Sequence, residues 1–393
     1  MRVLIAPQAF KGSLSAAEVA SAIAAGLPGG VSAELLPVAD GGEGTVDALL
    51  VALGGSRVST VVRGPMGSPV TADWGLLSNG WAVVEMAAAS GLPLVPPNER
   101  DPRRATTYGT GQLMAAALEA GAREIIIGIG GSATNDGGAG ALTALGARLL
   151  DSAGKELPLV VIHLQRLAQL DLSGLHPGLA SARLRVICDV TNPLLGPSGA
   201  TAVYGPQKGV NAAMQPVLEK SLAHWADVVE TTLSGRSGRG HGEGPPVPLR
   251  DVPGSGAAGG LGFALLALGA SLEPGAELVL DLARFDARAA NADLIITGEG
   301  LLDGQSLFGK STIAVARRAQ RARVPVLALV GGLGAGYEAA YEEGISAVMP
   351  MLPGPMALED AQAHAAALLQ EATGRAFRMI ALGQLDAPRP RRQ

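Results

Sequence analysis

The chain has 393 residues, 48% of them apolar and 3% aromatic, with a formal net charge of −5. That length supports two or three domains with full cores, and the composition excludes disordered and fibrous classes. The acidic balance gives no electrostatic case for nucleic acid or an anionic membrane.

In chain order, Val3–Ala6 reads as a strand stopped by Pro7, and Ser15–Leu27 as a helix whose Ser15 and Glu18 form a capping box. Ala33–Val38 reads as a second strand, with a helix from about Thr45. From Arg57 to Ala87, β-branched runs separated by turns such as Ser78-Asn79-Gly80 predict sequential strands. A helix near Gly111–Ala120, strands at Glu124–Ile129 and Leu184–Cys188, and a helix over Ala212–Thr232 follow. The Gly/Ser/Arg-rich stretch from Ser234 reads as a flexible surface loop. Strands at Leu294–Thr297, Val326–Val330 and Ala347–Met351, with intervening helices, complete a five-stranded doubly wound parallel sheet drawn from both chain ends. The expected class is therefore α/β with two domains: 1–57 plus 281–385 forms a discontinuous α/β domain, 58–280 an inserted mixed α/β domain, and 386–393 a disordered tail. Ligands would sit in the cleft between the domains, at the carboxyl ends of the parallel strands.

A single cysteine, Cys188, leaves no intrachain disulfide. No run approaches the ~20 apolar residues of a membrane span, and the N-terminal apolar run is too short for a signal peptide. The expectation is a cytoplasmic protein, a monomer or homodimer, whose partners are small molecules rather than nucleic acid or membrane. His163, His176, His224 and His241 lack metal-ligand spacing.

Lysine is scarce: five among thirty Lys and Arg. Three of the five stand beside glycine, in Phe10-Lys11-Gly12-Ser13, Gln207-Lys208-Gly209 and Gly309-Lys310-Ser311-Thr312. A compact rotatable ammonium where backbone can approach a ligand suggests phosphate handling. Gly304–Ser311 satisfies the Walker A pattern, but six residues separate it from the strand ending near Thr297, and no clear Walker B Asp closes an apolar strand. Gly254–Gly259 matches a dinucleotide fingerprint behind a proline-rich approach unsuited to a central strand, and Gly128–Ala133 is followed by polar residues that delay the helix. Neither pattern predicts a nicotinamide cofactor.

Four segments share another design, with glycines that bare amides, hydroxyls and a carboxylate near a strand end or turn. They are Asp40-Gly41-Gly42-Glu43, Gly130-Gly131-Ser132-Ala133-Thr134-Asn135-Asp136, Asp189-Val190-Thr191-Asn192 and Thr297-Gly298-Glu299-Gly300. Bared amides suit phosphate oxygens, and carboxylates suit Mg²⁺ or a hydroxyl nucleophile. Asp-Gly and Asn-Pro are also ordinary turn residues, so each segment taken singly reads as a turn.

These segments, with Ala6-Pro7…Phe10-Lys11-Gly12-Ser13-Leu14-Ser15, Tyr204–Gly209 and Gly256–Gly262, resemble in order the type-1 glycerate kinase family over nearly the whole chain. The resemblance implies a flavodoxin-like domain with an inserted second domain. It also implies ATP- and Mg²⁺-dependent phosphorylation of D-glycerate, with 2-phosphoglycerate favoured over 3-phosphoglycerate. Lys11 would neutralise the transferred phosphate or the glycerate carboxylate, and Asp189 would orient or deprotonate the hydroxyl. Gly130, Gly131, Ser132, Thr134 and Ser255 would cradle phosphate, with Lys208 and Lys310 each neutralising one. Asp40 and Asp136 are candidates for Mg²⁺ or substrate, and Gly41, Gly42, Glu43, Asn135 and Glu299 for substrate or phosphate. Gln8 and Ala9 stand where the family usually has Asp-Ser, and Leu301 where an Arg usually follows Thr-Gly-Glu-Gly. These departures keep open a non-catalytic ligand sensor on the same scaffold, or a kinase for a related hydroxy acid.

Overall fold

The computed structural model describes residues 1–235, 247–307 and 311–385. Both the glycine-rich loop beyond residue 235 and the C-terminal tail, for which flexibility was expected, lie largely outside the described residues, as does Lys310. Two compact units emerge: one from Met1–Asp40, Asp47–Ala52 and the chain from Ala276 onward, the other from Gly41–Val46 and Leu53–Gly275. A boundary at 57/58 would cut the strand Gly55–Arg63, and one at 280/281 the helix Gly275–Leu282, so neither position is a natural break.

The first unit holds five strands, all paired in parallel, in the order Ser32–Leu35, Arg2–Ile5, Leu294–Thr297, Val326–Val330, Ala347–Pro350. Near-continuous apolar runs in its central strands bury both faces of this sheet. Leu4, Ile295, Ala328 and Val330 pack on one side with Ile313, Val315 and Phe285. Val3, Ile5, Ile296 and Leu329 pack on the other with Val19, Ile23, Leu369 and Phe377. The helix Ala16–Ala25 starts as the sequence predicts: Ser15 Oγ accepts the Glu18 amide (3.3 Å), while Glu18 Oε2 accepts the Ser15 amide (2.8 Å). Chain order reverses between Arg2–Ile5 and Leu294–Thr297, the point where open α/β sheets bind ligands. The segments leaving these two strands are Pro7–Lys11 and Gly298–Gly300, tied by a hydrogen bond from the Gln8 amide to the Gly298 carbonyl (2.8 Å).

The second unit holds a six-stranded sheet in the order Ser271–Glu273, Arg183–Ile187, Glu124–Gly128, Ala82–Glu85, Pro69–Leu77, Gly55–Arg63. The first four run parallel, and the long hairpin Gly55–Leu77 adds the last two antiparallel. Ile125, Ile127, Val84 and Val186 form its core with Leu113 and Met114 of the helix Tyr108–Glu119. A second core gathers Leu218, Trp225, Phe263 and Leu142, with Trp225 donating its indole N–H to the Gly137 carbonyl (2.9 Å). The strand Ser271–Glu273 was not foreseen, because three residues give too short a pattern to read. No helix among the described residues is long and apolar enough to cross a membrane.

Candidate functional site

In the second unit, the strand Glu124–Gly128 runs into Ile129–Gly138, a loop packed against two other glycine-bearing segments. The backbones come so close that side chains would not fit. A Cβ on Gly128 would stand 2.6 Å from the Gly41 carbonyl oxygen, and one on Gly41 would stand 2.1 Å from Ile187 Cγ2. The Gly130 amide donates to the Gly41 carbonyl (3.2 Å), so Gly41 and Gly42 are lodged against the strand ends. From the other side come Ala258, Gly259 and Gly260, three successive left-handed residues that interrupt the helix Ala257–Ala267. Ala258, at φ 56°, is a non-glycine in that region, a conformation that costs about 1–2 kcal/mol and persists only where packing over-determines it.

Inside this nest Lys208 is 1% exposed. Its Nζ lies 2.7 Å from Ser132 Oγ and 2.7 Å from the Thr134 carbonyl oxygen. Burial pushes the ammonium down from 10.5 to about 7, opposed by the field of Asp136. Asp136 organises the loop. Its Oδ2 accepts from the Thr107 amide (2.8 Å), the Thr107 and Thr106 hydroxyls (2.9 and 3.4 Å) and the Gly140 amide (3.2 Å), and Oδ1 from the Gly138 amide (3.1 Å). Burial raises this carboxyl above its ordinary value, and the amides and hydroxyls pull it back. Asn135 gives its Nδ2 to Thr201 Oγ1 (3.0 Å), while its buried Oδ1 has no hydrogen-bond partner. Thr134 Oγ1 reaches the Ala258 carbonyl at 3.4 Å. Ser255 spends its hydroxyl on the Arg250 carbonyl (2.8 Å), so that side chain is engaged within its own turn. Asp189 is exposed at the end of Arg183–Ile187, and its Oδ1 accepts the Gly275 amide (2.7 Å) at the start of the helix Gly275–Leu282. Glu43 is exposed.

The first unit carries its own polar set. Lys11 is exposed in the turn after Phe10, at the carboxyl end of the first strand. Gln8 Nε2 donates to Asp40 Oδ2 at 2.5 Å. Glu299 lies two residues past the strand Leu294–Thr297 and is buried. Leu301 is 50% exposed on the two-residue strand Leu301–Leu302. The Walker-like stretch begins only after that strand, as the 3₁₀ turn Gly304–Leu307, so it does not leave directly from a strand of the five-stranded sheet.

Two groups escaped sequence reasoning. Glu85 is a buried carboxylate closing the strand Ala82–Glu85, and it accepts the Val46 amide at 2.7 Å. Its signal was a charge terminating an apolar run. The Thr106–Thr107 pair that holds Asp136 sits in a hydroxyl- and glycine-rich stretch, Thr106-Thr107-Tyr108-Gly109-Thr110-Gly111, of the same design as the segments that were singled out.

Mg²⁺ is generally held by one or two carboxylates together with substrate phosphates rather than by an all-protein cage. Among the described residues no group of three His, Cys, Asp or Glu side chains is placed to hold a metal. Asp136 already gives both oxygens to the chain's own donors, whereas Asp40 has one oxygen engaged by a neutral amide and fits a single-carboxylate role.

A sequence model described as the glycerate kinase family matches residues 3–381. The chain is 48% identical over 375 residues to a glycerate kinase from Bacillus subtilis (strain 168), covering 94% of this chain and 95% of that one. It is 46% identical over 367 residues to a glycerate 2-kinase from Escherichia coli (strain K12), covering 92% and 93%. A crystal structure of a candidate glycerate kinase 2 from Salmonella typhimurium LT2 superposes with a TM-score of 0.86 at 44% identity, covering 98% of this chain and 99% of that one.

Proposed function

The chain belongs to the glycerate kinase family, and from that premise we propose that it transfers the γ-phosphoryl group of ATP to the 2-hydroxyl of D-glycerate, giving 2-phosphoglycerate and ADP. The observation that carries the choice of hydroxyl is the 46% identity to a glycerate 2-kinase over 92% of this chain and 93% of that one.

Phosphoryl transfer needs positioning and charge neutralisation more than covalent chemistry. In this reading Gly130, Gly131, Ser132 and Thr134 cradle phosphoryl oxygens through amides and hydroxyls. Lys208, which burial brings to about 7, offsets phosphoryl charge once it holds a proton. Asn135, with an unsatisfied buried carbonyl, supplies an acceptor for a substrate hydroxyl or a water. Asp189 orients the acceptor hydroxyl and takes its proton. In the first unit, Lys11 neutralises the phosphate or the glycerate carboxylate, Asp40 is the carboxylate for Mg²⁺, and Glu299 completes the polar set; Lys310, outside the described residues, is assigned a phosphate from its sequence context alone. Mg²⁺, when bound, would offset charge on the β- and γ-phosphate oxygens. Asp136 and Ser255 hold the loops in shape.

The test is an assay coupled to enolase without a phosphoglycerate mutase. 2-Phosphoglycerate feeds enolase directly, and the signal should follow ADP release one for one. A signal that needs added mutase would assign the 3-hydroxyl instead.

A further inference from the structure

Lys208 raises a question that a phosphate cradle does not answer. A lysine whose charge serves only to attract an anion is usually left partly solvated, because an isolated buried ammonium is costly. Lys208 is 1% exposed and has no ion-pair partner within 4 Å among the described residues. Its Nζ has two neighbours at hydrogen-bond distance, a hydroxyl and a carbonyl. The carbonyl of Thr134 can only accept, so it takes an N–H. A neutral amine has two N–H groups and one lone pair; Nζ donates to the Thr134 carbonyl, and the Ser132 hydroxyl at 2.7 Å, which donates as readily as it accepts, can turn its O–H to that lone pair. A hydroxyl directed at an amine lone pair is the arrangement of a nucleophile with its general base, of which Ser–Lys pairs are a recurring form. Ser132 is placed for it: it follows two glycines at the carboxyl end of the parallel strand Glu124–Gly128, beside the exposed Gly131.

We propose that Ser132 is a nucleophile activated by Lys208 and that it accepts the terminal phosphoryl group of the nucleotide as a phosphoserine before glycerate does. The proposal rests on the ATP-dependent reading above. In the first half-reaction the Ser132 hydroxyl proton passes to Lys208 Nζ and a bond forms between Oγ and the γ-phosphorus. The bond from that phosphorus to the β,γ-bridging oxygen breaks, and ADP leaves with the electron pair. Lys208 is now an ammonium next to a phosphate dianion, which offsets the cost of burying its charge. In the second half-reaction the glycerate oxygen attacks phosphorus and its proton goes to Asp189. The Oγ–phosphorus bond breaks, and Oγ recovers the proton held by Lys208. Burial that brings Lys208 to about 7 supports a base of matched strength. The charged group whose field reaches it is Asp136, which favours the ammonium.

The experiment is isotope exchange between labelled ADP and unlabelled ATP in the full chain with Mg²⁺ and no glycerate, followed by phosphopeptide mapping. The proposal predicts exchange without glycerate and phosphoserine at position 132. Both should be lost in Ser132→Ala and slowed ~10²-fold or more in Lys208→Met. Turnover with D-glycerate accompanied by neither exchange nor phosphoserine would overturn it in favour of direct in-line transfer. If the chain uses no ATP with any hydroxy acid, the functional reading has failed, and a fluorophosphonate probe decides the nucleophile. Labelling at Ser132 that disappears in Lys208→Met upholds it, and absence of labelling in the wild type overturns it. The wild-type measurements stand even if Lys208→Met does not fold.

Discussion

Replacing Lys208 by Met should raise stability at low pH and lose that advantage as the pH rises. The amine titrates near 7 in the folded chain and at its ordinary 10.5 when unfolded. Below about 7 both states carry the proton, and the folded state bears the full cost of a buried ammonium. That cost is about 5 kcal/mol for a shift of this size, at 1.36 kcal/mol per unit. Between about 7 and 10.5 the unfolded chain binds one proton more than the folded chain, so wild-type stability rises with pH. Met removes the titration together with two hydrogen bonds worth roughly 1 kcal/mol each. At pH 6 the variant should therefore be the more stable protein by about 2–3 kcal/mol. From pH 7 to pH 9 the wild type should recover about 2 kcal/mol relative to the variant. Urea unfolding of both proteins at pH 6, 7, 8 and 9, with unchanged m-values, reads the difference directly. A wild-type-minus-variant difference that stays flat over this range would show that Lys208 does not titrate near neutrality, and the assignment of an uncharged amine would fall with it.

Lys11→Ala should lower turnover ~10²–10³-fold with little change in melting temperature, since the side chain is exposed and its proposed work is neutralising charge; near-normal turnover would remove it from the mechanism. Asp40→Asn should raise the Mg²⁺ concentration needed for half-maximal activity by about tenfold while leaving the fold intact, and an unchanged metal titration would refute the metal role. Gly259→Ala should destabilise by about 3 kcal/mol or more, because the added Cβ would stand 2.0 Å from the Thr134 carbonyl oxygen at a residue with φ of 70°. A melting temperature within a degree or two of wild type would mean that this loop can yield.

The parallel sheet of the first unit was readable because four of its five strands are short apolar runs closed at or soon after their ends by Pro or Gly. Leu294–Thr297 and Val326–Val330 fall where the pattern placed them. Ser32–Leu35 ends earlier than the expected Val38, because its partner strand stops at Ile5 before Pro7, although the Leu36 and Val38 amides still bond the Ile5 and Pro7 carbonyls. The left-handed run at Ala258–Gly260 was not legible: an Ala-Ala-Gly-Gly-Leu-Gly string reads as a flexible helix, and only the backbone of residues 134–137 packed against it dictates the conformation. The sequence marked Lys208, Ser132 and Asp136 as polar groups beside glycine. It carried no sign that Lys208 is buried against Ser132, or that Asp136 spends its oxygens on residues 106, 107, 138 and 140, since those contacts join segments up to 76 positions apart. Leu301, where the resemblance has an arginine, is a half-exposed apolar side chain, and nothing in the structure explains that substitution.

The central claim is that this chain phosphorylates glycerate from ATP. Purified protein with ATP, Mg²⁺ and D-glycerate, compared with L-glycerate and with no acceptor, tests it most directly through ADP release and phosphorus–proton coupling in the product. The account predicts ADP release that depends on D-glycerate and a phosphorus coupled to the single proton on carbon 2. A folded, ATP-binding protein that releases no ADP with D-glycerate, or a phosphorus coupled to the two protons of carbon 3, would contradict it.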